Sequence, residues 1–257
     1  MTKLSSTSFL GQALVVIPAR LDSARLPNKI LADIQGTPMI VRVWQQAVKA
    51  NIGPVIVACC GPEIREAIEA VGGIAIETDP GLASGTDRVM AALKTYDPEG
   101  HYKFVVNLQG DLPTMNPDDI RQALMPLANH QVDIASLCCE IKDSKDITNP
   151  NVVKVATGFW QKCHGVERAR AIYFSRQAIP ANATKYYHHI GIYAYTRPAL
   201  DAFVQLPVSY LEQTEKLEQL RALESGMRID MVLVQSTPQS VDTAEDLAKV
   251  RAQLDKM

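Results

Sequence analysis

The stretch Leu14–Lys29, LVVIPARLDSARLPNK, decides how this chain folds. It begins with a run of apolar residues, Leu14 to Ile17, a pattern typical of a strand that is buried on both faces of a sheet. Pro18 follows, and because proline has no backbone N–H to donate to a neighbouring strand, we predict that the strand ends there. The rest of the stretch indicates an irregular loop.

The predicted loop carries three cations, Arg20, Arg25 and Lys29, and one acidic neighbour, Asp22. Like charges on a short loop repel one another unless an anion lies between them. Phosphate fits best, because guanidinium groups match its oxygens and an ammonium adds a point charge. The glycine patterns of Rossmann and P-loop sites are absent, so side chains would hold the phosphate. A solvated basic loop explains the same residues, and both interpretations stay open here.

Length and composition describe a globular chain with one large domain, or one domain and a subdomain. The chain has 257 residues, is 47% hydrophobic and carries a net charge of −2, so it has no general attraction for nucleic acid or an anionic membrane. Its apolar runs fall short of the ~20 residues that cross a bilayer. The first ten residues, MTKLSSTSFL, lack the apolar region of a signal peptide, and we expect a disordered lead-in to a cytoplasmic chain.

Helices and strands alternate in the segments that follow the loop. We predict a helix that begins at Thr37-Pro38 and ends near Ala50, a strand over Val55–Cys60, a helix over Pro62–Val71 and a strand over Ile74–Ile76. This βαβαβ order predicts an α/β fold with parallel strands and right-handed crossovers.

Two polar segments follow in the same half of the chain. Ser84, Gly85 and Thr86 place backbone and hydroxyl donors at the N-terminus of a predicted helix, where polar ligand groups bind readily. An ordinary N-cap explains the same residues, and these residues alone favour it. Asp111 comes just after the predicted strand Phe104–Leu108, at the edge of an α/β sheet where ligands bind. A carboxylate there suits Mg²⁺, and a turn aspartate is the alternative.

The second half of the chain shows a weaker pattern, which indicates a different layer or a subdomain. We predict one helix over Leu211–Glu224. His188-His189 has no third ligand at metal spacing, so hydrogen bonding to a polar ligand is the better interpretation. Thr243 and Asp246 predict a capping box, and Asp242 beside them is either a cap residue or a second carboxylate of the site.

Seven motifs along the chain, in this order, resemble those of the CMP-Kdo synthetases, the 3-deoxy-manno-octulosonate cytidylyltransferases of lipopolysaccharide synthesis. The motifs are Arg20-x4-Arg25-x3-Lys29, SGTDR, NLQGD, YFSR, HIGIY, KLEQLRALE and VDTAEDL. The resemblance covers about residues 13–255. It implies a nucleotide-diphospho-sugar transferase fold, α/β with a mixed, mostly parallel sheet, flanking helices and a smaller dimerisation subdomain.

The same resemblance implies a single cytidylyltransferase domain over residues 13–257, in which residues of about 150–225 contribute the sugar-binding and dimerisation region. The implied nucleotidyltransferase moves CMP from CTP to the anomeric hydroxyl of Kdo and yields CMP-Kdo and pyrophosphate, with Mg²⁺ as cofactor. Its partners would be CTP, Kdo and a second copy of the chain in a homodimer, with no nucleic acid and no membrane insertion.

The resemblance also assigns roles to individual residues. Those implied to bind the nucleotide are Pro18, Ala19, Arg20, Arg25, Lys29, Ser84, Gly85, Thr86, Arg88 and Gln109. Those implied to line the sugar pocket are Arg176, His189, Tyr193, Glu218 and Gln219. Asp111 and Asp242 would hold Mg²⁺, and they form the implied catalytic set with Arg20, Arg25 and Lys29. No general base is assigned, because alignment and charge neutralisation dominate phosphoryl transfer.

Three alternatives to this function remain. The same reaction could use an 8-amino Kdo or another acidic ulosonic sugar such as sialic acid, although the HIGIY and KLEQLRALE motifs favour Kdo. A non-catalytic nucleotide-binding module on this fold would not need both aspartates and all three cations. An NAD-dependent oxidoreductase is disfavoured by the missing glycine fingerprint.

Overall fold

The computed structural model describes residue 9, residues 11–21 and residues 25–255. The described residues form two compact units. The first unit contains residues 9–120 and 238–255, and the second unit contains residues 121–237. Most of the expected lead-in and the acidic neighbour Asp22 lie outside the described residues. Phe9 is described, and its buried ring meets Phe104 edge to face, with 4.9 Å between ring centroids.

Strands and helices alternate through most of the chain. The strands are β1 (Ala13–Arg20), β2 (Asp33–Ile34), β3 (Thr37–Pro38), β4 (Val55–Cys60), β5 (Ile74–Glu77), β6 (Phe104–Leu108), β7 (Ile134–Glu140), β8 (Lys154–Thr157), β9 (Gln161–Cys163), β10 (Val166–Ser175), β11 (Tyr187–Thr196) and β12 (Ile229–Val234). The helices are α1 (Met39–Ala50), α2 (Pro62–Glu69), α3 (Gly85–Tyr96), α4 (Pro117–Ala123), α5 (Ser144–Thr148), α6 (Arg197–Phe203), α7 (Tyr210–Glu215), α8 (Leu220–Glu224) and α9 (Ala244–Leu254).

The first unit is built on parallel strands in the order β5-β4-β1-β6. Strand β1 pairs with β4 on one side and with β6 on the other, and its residues from Ala13 to Ile17 have no exposed surface. This burial on both faces is what a continuous apolar run predicts. The α/β class and the predicted βαβαβ order are confirmed. Because the strands are parallel, their carboxyl ends, and the loops that follow them, share one edge.

The prediction that β1 ends at Pro18 is wrong, since the strand continues to Arg20 and Pro18 pairs with Ala58 of β4. The pairing of β1 with β6 stops at Val16, opposite Asn107. Beyond that point one flank of β1 has no partner in this unit, and a residue without an N–H is tolerated there. The extra residues carry Arg20 further along the carboxyl edge.

The predicted start of α1 also needs correction. Thr37 and Pro38 form the short strand β3, which pairs with β2, and the helix begins at Met39 without a side-chain cap. Proline has the extended backbone that suits this strand, with φ −56° and ψ 143°. The predicted end near Ala50 is confirmed.

The second unit is built on a mixed sheet in the order β11-β7-β12-β10-β8, with β9 beside β10. Strands β7 and β12 are parallel, whereas β11 with β7, β12 with β10, and β10 with β8 are antiparallel. A register shift in β11 between Ile190 and Tyr193 interrupts its pairing with β7. This unit accounts for the change of pattern in the second half of the sequence.

The helix predicted over Leu211–Glu224 is two helices, α7 and α8. Lys216 ends α7 with a left-handed backbone, φ 57° and ψ 46°, which breaks the helical path. Such a conformation is uncommon for a residue other than glycine and requires support from its surroundings. The carbonyl groups of Glu215 and Lys216 accept hydrogen bonds from Arg176, and these bonds stabilise the left-handed conformation of Lys216.

None of the helices in the described residues has the length and apolar character needed to cross a membrane.

Gly53 gives a test of packing around β1. An alanine there would place its Cβ 1.9 Å from the carbonyl oxygen of Ala13, so the backbone would have to move. We expect Gly53→Ala to lower the free energy of unfolding by about 3 kcal/mol in denaturant titrations. The control is Gly158→Ala, whose Cβ would meet its nearest neighbour, the carbonyl oxygen of Arg170, at an ordinary 3.7 Å. Equal stability of the two variants would contradict this description of the core.

Candidate active site

A cavity of about 170 Å³ opens at the carboxyl edge of the parallel strands in the first unit. It is lined by Pro18, Ala19, Arg20, Leu82, Ala83, Ser84, Gly85, Arg88 and Gln109. The end of β1, the start of α3 and the residue after β6 therefore meet around one space. Most of the residues to which the family resemblance assigns nucleotide binding lie in this lining, whereas Arg25, Lys29 and Thr86 do not.

Ser84 acts as the N-cap of α3. The backbone N–H of Asp87 donates to Ser84 Oγ at 3.1 Å, and the Ser84 hydroxyl donates to Asp87 Oδ2 at 2.9 Å. The N-cap interpretation is thus confirmed for this side chain. Gly85 adjoins the cavity, and a Cβ there would make ordinary contacts with Pro18 at 3.7 Å and Gln109 at 4.0 Å. A ligand in the cavity would meet backbone rather than a side chain at this position.

Arg88 is a buried cation in the cavity lining, with 3% of its surface exposed. Its Nη1 donates to Thr78 Oγ1 at 2.5 Å and to the carbonyl oxygen of Asp79 at 3.2 Å. The Thr78 hydroxyl donates in turn to the carbonyl oxygen of Cys59 at 2.9 Å. These neutral partners fix the guanidinium without neutralising its charge. The sequence reasoning missed Thr78, although its place directly after β5 matches that of Gln109 after β6.

A cluster of opposite charges lies at the same edge of the first unit. Lys29 Nζ is 2.9 Å from Asp111 Oδ2 and 2.9 Å from Asp242 Oδ1. Arg25 Nη2 is 3.1 Å from Asp242 Oδ1. The carboxylate of Asp242 therefore faces the site and is not the cap of α9, which is Thr243. Burial disfavours the Lys29 ammonium, but the two aspartates outweigh this effect and raise the pKa of Lys29.

Backbone hydrogen bonds hold the two carboxylates in place. The N–H of Val241 donates to the carbonyl oxygen of Asp111 at 3.0 Å, which ties the segment before α9 to the loop after β6. The predicted capping box of Thr243 and Asp246 is confirmed, and Asp246 Oδ2 also accepts the N–H of Asp242 at 3.2 Å. These hydrogen bonds connect the two segments that carry Asp111 and Asp242, which are far apart in the sequence.

This charge cluster has the donor set of a cation site. Both carboxylates already face one cation, the Lys29 ammonium. In the described residues no group of three or more His, Cys, Asp or Glu side chains could hold a metal ion. A metal at Asp111 and Asp242 would therefore take its other ligands from water or a phosphate, which is the usual arrangement for Mg²⁺.

In the second unit His189 is 7% exposed, and its ring contacts the rings of Phe174 and Tyr193 at centroid distances of 4.9 and 5.5 Å. Its Nε2 is 3.0 Å from Ser136 Oγ. The Ser136 hydroxyl has one hydrogen, which it donates to the carbonyl oxygen of Ile192 at 2.7 Å, so Nε2 is assigned as the donor to Oγ. Burial lowers the pKa of His189 to about 3, so the ring is neutral. No sequence motif points to Ser136.

Tyr193, Glu218 and Gln219 lie in the same unit. Burial, with the charge of Glu218 among the further causes, raises the pKa of Tyr193. Gln219 is 6% exposed, and its Nε2 is buried without a hydrogen-bond partner in the described part of the chain. A polar group of a ligand would satisfy this donor.

The side chain of Arg176 is held by hydrogen bonds to backbone carbonyl groups. Its guanidinium donates to the carbonyl oxygens of Pro150 and Glu215 at 2.9 Å and of Lys216 at 3.3 Å. An arginine has five N–H donors, so two remain for a ligand. The sequence reasoning missed Glu215, whose carboxylate accepts the Arg176 N–H at 3.0 Å and the Ser175 hydroxyl at 2.7 Å.

Comparison with known proteins places the chain among cytidylyltransferases. Residues 14–229 match the cytidylyltransferase family model. A 3-deoxy-manno-octulosonate cytidylyltransferase of Paramagnetospirillum magneticum is 53% identical over 241 residues, which cover 94% of this chain and 97% of that protein. Its counterpart of the same name in Rhodospirillum rubrum is 53% identical over 242 residues, which cover 94% and 95% of the two proteins.

A solved structure is similar over nearly the whole chain. It is the structure of CMP:2-keto-3-deoxy-manno-octonic acid synthetase complexed with CTP, with a TM-score of 0.87 and 38% identity. The match covers 95% of this chain and 99% of that one.

The buried His189 predicts a pH dependence of stability. Its pKa is about 3 in the folded chain and ~6.5 in the unfolded chain, so its contribution is complete above pH 6.5 and is lost as the pH falls from 6.5 toward 3. Between pH 7.5 and pH 5 the free energy of unfolding should fall by about 2 kcal/mol more in the wild type than in His189→Gln.

Denaturant titrations at the two pH values measure this difference. Replacement of the exposed His130 by glutamine is the control and should retain the wild-type dependence. If His189→Gln showed the same pH dependence of the free energy of unfolding as the wild type, His189 would not be the group that takes up the proton on unfolding.

Proposed function

Because the chain belongs to the 3-deoxy-manno-octulosonate cytidylyltransferase family, we propose that it is an enzyme that transfers CMP from CTP to the anomeric hydroxyl of Kdo, 3-deoxy-D-manno-octulosonate. The products are CMP-Kdo, a precursor for lipopolysaccharide, and pyrophosphate. The observation that carries the proposal is the cluster in which Lys29 lies 2.9 Å from the carboxylates of both Asp111 and Asp242. A reaction on a triphosphate needs positive side chains that bind the phosphates and negative side chains that bind a metal ion.

In this reaction the sugar oxygen forms a bond to the α-phosphorus of CTP, and the bond from that phosphorus to the β-phosphate oxygen breaks. The electron pair leaves with pyrophosphate, and the hydroxyl proton passes to solvent. Such a transfer depends on alignment and on neutralising the phosphate charges. Arg20, Arg25 and Lys29 are the cations proposed to hold the phosphates. The nucleoside is proposed to occupy the cavity lined by Ser84, Gly85, Arg88 and Gln109, with Thr86 beneath it in the first turn of α3.

We propose Mg²⁺ as the cofactor, held by Asp111 and Asp242. The ion would supply positive charge that neutralises the phosphates and polarises the α-phosphate. Lys29 bridges the two carboxylates, so the ion would compete with its ammonium for them. Once displaced from the carboxylates, the Lys29 ammonium would be free to bind the leaving pyrophosphate.

The sugar pocket is proposed to lie in the second unit. Arg176 would bind the sugar carboxylate with its two remaining N–H groups, and the Gln219 amide would bind a hydroxyl. His189, Tyr193 and Glu218 are proposed to line the pocket. The neutral His189 adds no charge of its own there. The unit also carries exposed apolar side chains, Phe159 at 95% and Ile172 at 58%, on the region of about residues 150–225 through which we propose that two copies dimerise.

We further propose that residues 13–257 act as one cytidylyltransferase domain and that the protein works in the cytoplasm. Location there is supported by the need for CTP, and the proposed homodimer can be checked by sedimentation.

The function is tested by pyrophosphate release from CTP and Mg²⁺, with Kdo, its 8-amino analogue and sialic acid offered in turn. We expect the highest kcat/KM with Kdo. A higher kcat/KM with either of the other sugars would reassign the acceptor within the same reaction. Binding of CTP without pyrophosphate release from any of the three would instead support a non-catalytic nucleotide-binding module.

The two carboxylates are tested by Asp111→Ala and Asp242→Ala. We expect each change to abolish turnover while the thermal unfolding curve remains cooperative, because a proposed ligand of the metal is lost. The control is Asp33→Ala, which removes an exposed carboxylate from the same unit. If either variant turned over substrate as fast as Asp33→Ala, the aspartate replaced in that variant would have no part in the mechanism.

Lys29→Met keeps the length of the side chain and removes its charge. We expect a loss of about a hundredfold or more in kcat, the usual scale for a lost charge partner of a transition state. Without nucleotide, Mn²⁺ used as a probe should bind more tightly to Lys29→Met than to wild type, because its competitor is gone. The exposed Lys94→Met is the control. Weaker Mn²⁺ binding in Lys29→Met would contradict the competition.

A further inference from the structure

Lys154, the first residue of β8, is a fully buried lysine with 0% of its surface exposed. Its Nζ donates to the carbonyl oxygens of Asn149 at 2.9 Å, Val152 at 2.6 Å and Arg176 at 2.6 Å. A neutral amine has two N–H donors and an ammonium has three, so these bonds require the charged form. No other lysine is buried in the described part of the chain.

A buried charge held by neutral carbonyls is a costly way to stabilise a core. Burial, and then the charge of Arg176, lowers the pKa of Lys154, whereas Glu215 and Asp146 act in the opposite direction. Replacing buried ionic groups with apolar residues of similar volume is often neutral or stabilising. Packing alone therefore gives no reason for a lysine at this position. The reason is better sought in what its three bonds hold in place.

The three bonds tie one turn to Arg176. Asn149 and Val152 belong to the turn before β8, and the third carbonyl is that of Arg176 itself. The Arg176 guanidinium donates back to the carbonyl oxygen of Pro150 in the same turn. Arg176 is thus fixed to this turn at both its backbone and its side chain.

The same turn also holds the strand that carries His189. The backbone N–H of His189 donates to the carbonyl oxygen of Val153 at 2.8 Å, and His188 pairs with Lys154 between β11 and β8. Two residues of the proposed sugar pocket, Arg176 and His189, therefore take their positions from the segment that Lys154 organises.

Glu215 holds Arg176 from the other side. One carboxylate oxygen accepts the backbone N–H of Arg176, the other accepts the hydroxyl of Ser175, and the carbonyl oxygen of Glu215 accepts Arg176 Nε at 2.9 Å. A cation and an anion thus fix the carbonyl and the N–H of the same residue. Lys154 and Glu215 therefore orient the guanidinium of Arg176 as two independent supports.

We propose that Lys154 and Glu215 are positioning residues for the acceptor sugar: they hold Arg176 and the adjoining strand in the geometry that binds the sugar carboxylate. This inference rests on the proposed function. A brace that serves the fold alone would lower stability and affect both substrates alike. A positioning role predicts a selective loss for the sugar.

The experiment measures KM for Kdo and for CTP separately in Lys154→Met, by pyrophosphate release. We expect KM for Kdo to rise tenfold or more while KM for CTP stays within twofold of the wild type. The control is Lys162→Met, which removes an exposed lysine on β9 of the same unit and should leave both values unchanged. Glu215→Ala should give the same selective rise, and it decides the question if Lys154→Met does not fold.

Each outcome is decisive. Unchanged KM values, or a parallel rise for both substrates, in folded variants would overturn the positioning role while leaving the proposed function intact. A wild-type protein that releases no pyrophosphate with Kdo would instead overturn the proposed function, and the positioning role with it. A selective rise for Kdo in the variants supports both.

Discussion

The candidate site depends on one electrostatic constraint, which is that carboxylates brought close together need a cation between them. The carboxylates of Asp111 and Asp242 are close enough to share one cation, because the ammonium of Lys29 lies 2.9 Å from both. Arg25 adds a second positive group at 3.1 Å from Asp242. The resting arrangement is thus nearly balanced in charge. An anion and a cation of the proposed substrates would enter this cluster by exchange of partners, so that no charge is left without a counter-charge.

The apolar character of β1 provides the framework for this balance. β1 pairs with β4 and β6 along its two edges and is buried from Ala13 to Ile17, and the cations of the basic loop follow at its carboxyl end. The neighbouring parallel strands end at the same edge and contribute Thr78, Gln109 and Asp111. The segment before α9 joins them through the hydrogen bond from Val241 to Asp111. Burial of the apolar strand thereby places the polar and charged residues of the site at the carboxyl edge of the parallel strands.

The sequence predicts the periodic and charged features well and the contact-dependent ones poorly. The βαβαβ order and the capping box at Thr243 are local patterns, and they are confirmed. The continuation of β1 through Pro18 depends on where its neighbour stops, which local sequence does not encode. The break at Lys216 depends on carbonyl bonds to Arg176, a residue from another strand. Partners such as Ser136 and Thr78 are likewise ordinary polar residues until the pairing of β7 with β11 brings Ser136 to His189 and the packing of α3 brings Arg88 to Thr78.

The order of segments in the first unit also matters for how the protein is made. Its residues 9–120 precede the whole second unit, and its residues 238–255 follow it. Asp242 therefore leaves the ribosome more than a hundred residues after Asp111, when the basic loop and the parallel strands have long been synthesised. Until then Lys29 has one of its two carboxylate partners. A chain released from translation before residue 238 would carry the basic loop and Asp111 but not Asp242, so Lys29 would keep a single carboxylate partner.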